Sequence, residues 1–276
     1  MPDSDAKTES LKQGWFASMP NDSMAKTLII AILLCLICSV AVSTVAVKLK
    51  PLQMYNAELS RRTQILSVAG LMTDGGNVDQ LFAQIETRIV ELDSGEFTDD
   101  IDPETFDGRE AQSDPAMSVA IPAEKDVAGL QRRSRYAAVY IVRDNDDIAT
   151  IILPVSGKGL YSTLFGFLAL EGDGNTISGL TFYEDGETPG LGGEINNPRW
   201  QSRWAGLQIR DGTGEYRLAV VKGAVPQGSE AASFHVDAIS GATLTSRGVD
   251  HMMQFWLGDS GFGPFLERIG NTGGSS

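Results

Sequence analysis

The sequence predicts an α+β protein in which one N-terminal transmembrane helix precedes a body built from an antiparallel sheet with flanking helices. Three observations carry this. Residues 27–47 form an apolar run without a charge. Two pairs of short β-rich runs lie between residues 136 and 183, each pair split by a cluster of Asp, Asn and Gly. Val249, Met252, Met253 and Trp256 then make a helical apolar stripe near the C-terminus. Strands joined as hairpins and followed by a helix do not fit a doubly wound sheet. At 276 residues the chain holds about two folding units at most.

In chain order, residues 27–47 span about 31 Å as a helix at 1.5 Å per residue, enough to cross a hydrocarbon core once. The run is too long for the apolar centre of a cleavable signal peptide, and Lys26, Lys48 and Lys50 flank it, so it reads as an uncleaved anchor. Cys35 and Cys38 lie inside it. Without a βαβ pattern around them they read as small packing residues and not as a redox pair, and nothing downstream can form a disulfide. Residues 52–71 continue as a juxtamembrane helix up to Gly70 and an Asp74-Gly75-Gly76 turn. Over residues 77–92, Asn77 stands as an N-cap before Val78, Leu81, Phe82, Ile85, Ile89 and Leu92 at helical spacing, which predicts an amphipathic helix. Residues 93–130 mix acidic clusters with Pro103, Pro115 and Pro122 and read as irregular.

The hairpins are predicted over 136–142 with 148–155, and over 165–170 with 176–183. Their turns are Asp144-Asn145-Asp146-Asp147 and Gly172-Asp173-Gly174-Asn175. A further apolar run at 217–221 reads as a strand, and the Gly/Ser end from Gly273 as a frayed tail. The expected division is a tail at 1–26, the span at 27–47, juxtamembrane helices and an irregular segment at 48–135, the main domain at 136–270 and a disordered tail at 271–276.

Charge narrows the function. Against 36 Asp and Glu the chain has 22 Lys and Arg, a net of −14, which gives no footprint for a phosphate backbone and excludes nucleic acid as a partner. Residues 1–50 carry +1, leaving −15 on residues 51–276. About two to three basic residues precede the span, and Lys48, Lys50, Arg61 and Arg62 follow it, a slight excess that leans towards a cytoplasmic body. No GxGxxG, P-loop or Ser/His/Asp order is present, so the chain by itself is not expected to bind NADH or to hydrolyse a substrate.

The most informative stretch is Asp237-Ala238-Ile239-Ser240-Gly241-Ala242-Thr243-Leu244-Thr245-Ser246, which opens into the last helix. Small residues let the backbone approach another group, and the first amides of a helix suit an anion. The same hydroxyls of Ser240, Thr243 and Thr245 equally suit an N-cap. The stretch resembles the flavinylation motif of bacterial proteins that carry FMN through a phosphoester bond to threonine: Asp, two variable residues, Ser or Thr, Gly, Ala, Thr. Every fixed position is matched, and the acceptor maps to Thr243.

Two more stretches extend the resemblance. Glu187-Thr188-Pro189-Gly190-Leu191-Gly192-Gly193-Glu194-Ile195, with Asn197-Pro198-Arg199-Trp200 after it, is similar to the loop beside the flavin ring. Ser156-Gly157-Lys158-Gly159-Leu160-Tyr161-Ser162 is similar to the family's Gly-rich turn. Together with the anchor they resemble the FMN-carrying C subunits of the sodium-translocating NADH:quinone reductases. The nearest alternative is the analogous FMN-carrying G subunit of Rnf complexes, and a non-redox membrane-tethered assembly module is the alternative of another class.

The resemblance implies a covalent FMN on Thr243, with Ser240, Gly241, Ala242, Leu244, Thr245, Glu187, Thr188, Gly190, Leu191, Gly192 and Lys222 around it. It implies electron relay inside a sodium-pumping NADH:ubiquinone reductase, with the other subunits and a flavin transferase as partners. It also implies a domain on the periplasmic side of the bacterial inner membrane, opposite to the lean of the charge count. Lys222 reads as a flavin or phosphate neighbour or as a solvated strand end. His235 is near enough to the motif to line the site, His251 reads as structural, and neither has metal-ligand spacing around it.

Overall fold

A computed structural model of the chain describes Pro20 and residues 23–72, 75–226 and 228–273. Two units are present, Met1–Glu58 and Leu59–Ser276. In the first, the described residues from Met24 onward belong to α1 (Met24–Val68), which is long and apolar enough to cross a membrane. Its Leu33, Leu36, Val40 and Val45 are exposed. Inside this stretch the Thr44 hydroxyl donates to the Val40 carbonyl at 2.7 Å, so that polar group is satisfied within the helix. Cys35 and Cys38 are free thiols on the same stretch. The juxtamembrane helix expected from residue 52 is not a separate element: α1 runs on through Pro51, which removes a single main-chain hydrogen bond. Most of the 1–26 tail and Asp74 of the expected turn lie outside the described residues.

The second unit begins with the end of α1. Asn77 caps α2 (Val78–Phe82), its side-chain oxygen accepting from the Asp79 and Gln80 amides at 3.0 and 3.2 Å. The helix predicted over residues 77–92 ends there. Residues Glu86–Glu91 are instead a strand, β1, paired with β2 (Glu96–Thr98) and with β5 (Tyr136–Asp144). The helical stripe skipped Val90, which is fully buried; the run Thr87-Arg88-Ile89-Val90 pairs along β5, and that pairing overrides local spacing. Short elements follow in the irregular segment: α3 (Gly108–Ser113), β3 (Ser118–Ala120) and β4 (Arg132–Ser134).

Both predicted hairpins are present. β5 turns into β6 (Asp147–Lys158) through Asn145 at φ 57°, a left-handed position that Asn tolerates. β7 (Thr163–Glu171) turns into β8 (Ile177–Glu184) around Asp173, whose carboxylate accepts from the Asn175 and Thr176 amides at 2.8 Å each. The six strands form one antiparallel sheet in the order β2-β1-β5-β6-β7-β8. The sheet therefore starts at Glu86 and not at Tyr136. The 217–221 run contributes only β9 (Ala219–Val221), which pairs in parallel with β10 (His235–Asp237) outside the large sheet.

Each face of the sheet is covered. On one side Ile65 and Leu66, from the end of α1, pack with Tyr140, Ile152, Phe167 and Ala169. On the other, Ile151, Leu153, Val155, Leu168 and Leu180 pack beneath α5 (Thr243–Leu257) and α6 (Gly263–Gly273). The stripe of Val249, Met252, Met253 and Trp256 faces this core and is buried. α6 reaches three residues into the stretch read as a tail, and residues 274–276 lie outside the described ones.

α5 sits close on β6. A Cβ on Gly157 would lie 2.8 Å from Met252 Cβ, and one on Gly248 would lie 2.5 Å from the Lys158 carbonyl oxygen. The Trp256 indole N–H donates to the Ser156 carbonyl at 2.7 Å. Gly248→Ala in a helix interior ordinarily stabilises by about 1 kcal/mol. Here the methyl meets β6, and the expected result is a loss of about 1–3 kcal/mol, read as a lower urea midpoint. A raised midpoint would show that α5 does not rest on β6 at this point.

Candidate cofactor site

β10 delivers the chain to Asp237, and residues 238–242 loop into α5. Gly241 has φ +79°, a left-handed conformation that favours glycine. The N-cap position is held by Ala242, with no side-chain capping bond. The Ser240, Thr243 and Thr245 hydroxyls, each a possible cap by sequence, have other places. Ser240 and Thr243 are exposed. Thr245 is only 1% exposed and turns inward. The Ser246 hydroxyl oxygen accepts from the Ile239 amide at 2.9 Å and closes the loop from behind. Because an α-helix leaves its first amides without intrahelical acceptors, the start of α5 presents donors beside an exposed threonine hydroxyl.

The 187–192 loop reaches the cleft at Gly190. Gly190 has φ +76°, and the Thr188 carbonyl accepts from the Leu191 and Gly193 amides at 3.1 and 3.0 Å, folding the loop into a tight turn. Leu191 is 48% exposed, and its Cδ2 lies 3.4 Å from the position a Cβ on Gly241 would take, so loop and motif touch. Leu244 is exposed as well. Glu187 and Gly192 do not share this exposure. Both are buried, and the Glu187 carboxylate accepts the Thr245 hydroxyl proton at 2.6 Å.

The cleft has a basic wall. Asn197 caps α4 (Pro198–Gln201), with the Arg199 amide donating to its side chain at 3.0 Å. Arg199, Arg203 and Lys222 line a cleft of about 840 Å³ together with Gly190, Trp200 and Thr243. Asp237 organises this wall: its carboxylate pairs with Arg203 at 3.0 Å and accepts from the Val225 amide at 2.6 Å, and its carbonyl accepts from the Trp200 indole at 2.9 Å. Arg199 and Lys222 have no ion pair among the described residues. In a body carrying −15, two such cations beside an exposed hydroxyl and free helix amides suit a phosphate group. Leu191, beside Gly190 and Gly241, adds an exposed apolar side chain next to the cleft.

The structure thus brings together Ser240, Gly241, Thr243, Gly190 and Lys222 around the cleft, and places Leu191 against Gly241. It turns Thr245, Glu187 and Gly192 to the interior behind it. Arg203 joins the cleft without having been named from the sequence, and Arg199 and Trp200, quoted only as part of a motif stretch, join it as well. Their signal was the Asn197-Pro198 pair, which sets a cap and a first helical turn and so aims the side chains after it. His235 lies on β10 and His251 on α5, both half-buried, and the described residues contain no metal-binding group of His, Cys, Asp and Glu.

An FMN-binding domain family matches residues 159–258, from the end of β6 through the cleft to the end of α5. Fold and site therefore define an FMN-binding flavoprotein domain on a chain whose described residues include one helix long and apolar enough to cross a membrane. The chain is 49% identical over 250 residues to the C subunit of the Na(+)-translocating NADH-quinone reductase of Vibrio alginolyticus, covering 90% of this chain and 96% of that one. It is 46% identical over 252 residues to the C subunit of the Pseudomonas aeruginosa enzyme of the same name, covering 90% and 97%. The crystal structure of Shewanella oneidensis NqrC superposes with a TM-score of 0.70 at 37% identity, over 75% of this chain and 95% of that one. The chain belongs to the family of C subunits of the Na(+)-translocating NADH-quinone reductases.

Thr245 differs from its expected place as a cap or phosphate neighbour. Its hydroxyl serves a buried carboxylate, and a hydrogen bond to a charged group contributes about 1.5–3 kcal/mol, against about 1 for a cap. Thr245→Ala should lower stability by the larger amount in denaturant melts. A loss under about 1 kcal/mol would show that the hydroxyl is not engaged in solution.

Proposed function

We propose that this protein is the membrane-anchored flavin carrier of a sodium-translocating NADH:quinone reductase complex, with FMN held through a phosphoester bond to Thr243. The observation that carries the reading is the exposed Thr243 hydroxyl at the uncapped start of α5, on a cleft shared with Arg199 and Lys222, neither of which has an ion pair among the described residues. In this reading the α5 amides, Ser240, Lys222 and Arg199 hold the phosphate. Leu191 and the Gly190 backbone line the ring, and Asp237 keeps Arg203 and the 222–225 segment in place. The bound flavin supplies reversible one- and two-electron redox chemistry. The chain's own contribution is to tether the phosphate end, leave the ring accessible to donor and acceptor, and set the polarity around it.

The tether suits a relay. A cofactor bound by a covalent ester cannot dissociate between turnovers, so it stays on Thr243 while donor and acceptor centres on neighbouring subunits exchange electrons with it. Maturation by a flavin transferase fits an acceptor hydroxyl that stands open on the surface. A domain on the periplasmic side follows from the resemblance, since the transferase acts there, and the opposing charge bias around α1 rests on only one or two residues.

The acceptor is tested by substitution in protein expressed with its flavin transferase. Thr243→Val removes the ester oxygen with little change in shape, so covalent flavin should vanish from denaturing gels while the chain still inserts in the membrane and assembles. Thr245→Ala should retain the fluorescent band. Mass analysis of the peptide containing Thr243 reads the same outcome directly, and an unmodified peptide from the native host would leave a non-redox assembly module as the surviving reading.

The ring wall is tested separately. Leu191→Asp should keep the covalent bond but change the flavin's reduction potential and fluorescence, because a carboxylate replaces an apolar contact. No change in either quantity would place the ring away from this loop.

A further inference from the structure

Glu187 lies behind the cleft wall with both oxygens engaged. Oε1 accepts from the Leu160 and Tyr161 amides at 2.9 and 3.0 Å, and Oε2 from the Thr245 hydroxyl at 2.6 Å. The residue is 6% exposed and Thr245 is 1% exposed. Two glycines make room for the side chain: a Cβ on Gly159 would lie 2.5 Å from Oε1, and one on Gly192 would lie 2.5 Å from both Oε2 and the Thr245 hydroxyl oxygen. One carboxylate thus joins three segments that are distant in sequence: the turn after β6, the 187–192 loop and the first turn of α5. Thr245 stands two residues beyond Thr243 on that same turn. Leu160, Tyr161, Leu191 and Leu244 are exposed on the outer surface of the joined segments.

Resting on the reading of Thr243 as flavin acceptor, we infer that Glu187 is a positioning residue: its buried carboxylate locks the 159–161 turn and the 187–192 loop to α5, and so sets how the Thr243 hydroxyl is presented, without touching the flavin. The resemblance implied a residue beside the cofactor. Burial and the engagement of both oxygens speak for the strut instead, because the carboxyl group already holds three donors from this chain's own segments. Bonds to a charged acceptor are short and directional, and a buried carboxylate that lost them would be costly, so the three segments move together or not at all. An acceptor hydroxyl displaced by about 1 Å can lose up to about 100-fold in transfer rate, which makes the lock a rate-determining feature as well as a stabilising one.

The test follows the rate of covalent flavin appearance on purified full-length chain in detergent, made without flavin and mixed with flavin transferase and its flavin donor. Glu187→Ala and Gly192→Ala, the second a wedge that leaves Glu187 itself unchanged, should each slow loading about 10- to 100-fold at a temperature where both are folded. Glu187→Gln should load within about threefold of the parent, since an amide oxygen takes the two backbone donors and its NH₂ donates to Thr245. Gly212→Ala, with open space around its Cβ, should load at the parental rate. Ile152→Val, trimmed on the opposite face of the sheet, serves as the destabilised control. Should Glu187→Ala fail to fold, Gly192→Ala and Glu187→Gln carry the test.

The inference is overturned by parental loading rates in Glu187→Ala or Gly192→Ala, by Ile152→Val slowing as much as either, or by Glu187→Gln being as slow as Glu187→Ala. A parent chain that acquires no flavin on Thr243 overturns the acceptor reading and this inference with it. A parent that loads normally while the strut variants do too overturns the strut alone.

Discussion

The seating of α5 on β6 is the contact from which the geometry of the cleft follows. Gly157 and Gly248 remove side chains where the helix crosses the strand, so the backbones approach to a distance that any Cβ would prevent. The indole of Trp256 and the carbonyl of Ser156 then fix the helix along the strand, and Val249, Met252 and Met253 fill the interior beneath it. With α5 placed, Thr243 can only emerge where the loop from β10 arrives. The Gly-rich turn after β6 and the loop after β8 must come to the same end of the helix. Burial of apolar area supplies the energy and backbone proximity supplies the precision.

The start of α5 is less stable than it needs to be. A serine or threonine at the N-cap would contribute about 1 kcal/mol, yet Ala242 stands there and the neighbouring hydroxyls are exposed or turned inward. A locally unfavourable choice at a place where an anion is expected is the pattern of a site whose donors are kept for a ligand. The same holds for Arg199 and Lys222, which stay without an ion pair among the described residues although the body is strongly acidic. Arg203, one turn on from Arg199, is paired with Asp237, so the basic wall is part scaffold and part open charge.

The sheet explains why the strands read so clearly. With the end of α1 on one face and α5 and α6 on the other, β6 and β7 bury successive residues, Ile151 beside Ile152 and Phe167 beside Leu168. Their sequences are therefore nearly continuous apolar runs instead of an alternation. The hairpin turns are local as well: Asn145 tolerates the left-handed position, and Asp173 hydrogen-bonds its own following amides. The last helix is read from its stripe for the same reason, since one face of one element decides it.

By itself, the sequence determined the features that depend on neighbours within a turn or two: the anchor, the two hairpins, the α5 stripe and the motif that ends in Thr243. Tertiary structure decided whatever depends on a distant partner. Residues 77–92 satisfy a helical spacing, but six of them become β1 because β5, some fifty residues later, offers a free edge for their backbone groups. Glu187 and Thr245 looked like cofactor neighbours from the motifs that contain them. They face inward because each completes the other across 58 residues of chain. Spacing along a chain records which face of an element a residue occupies, whereas the direction of a loop carboxylate depends on donors that only folding brings within reach.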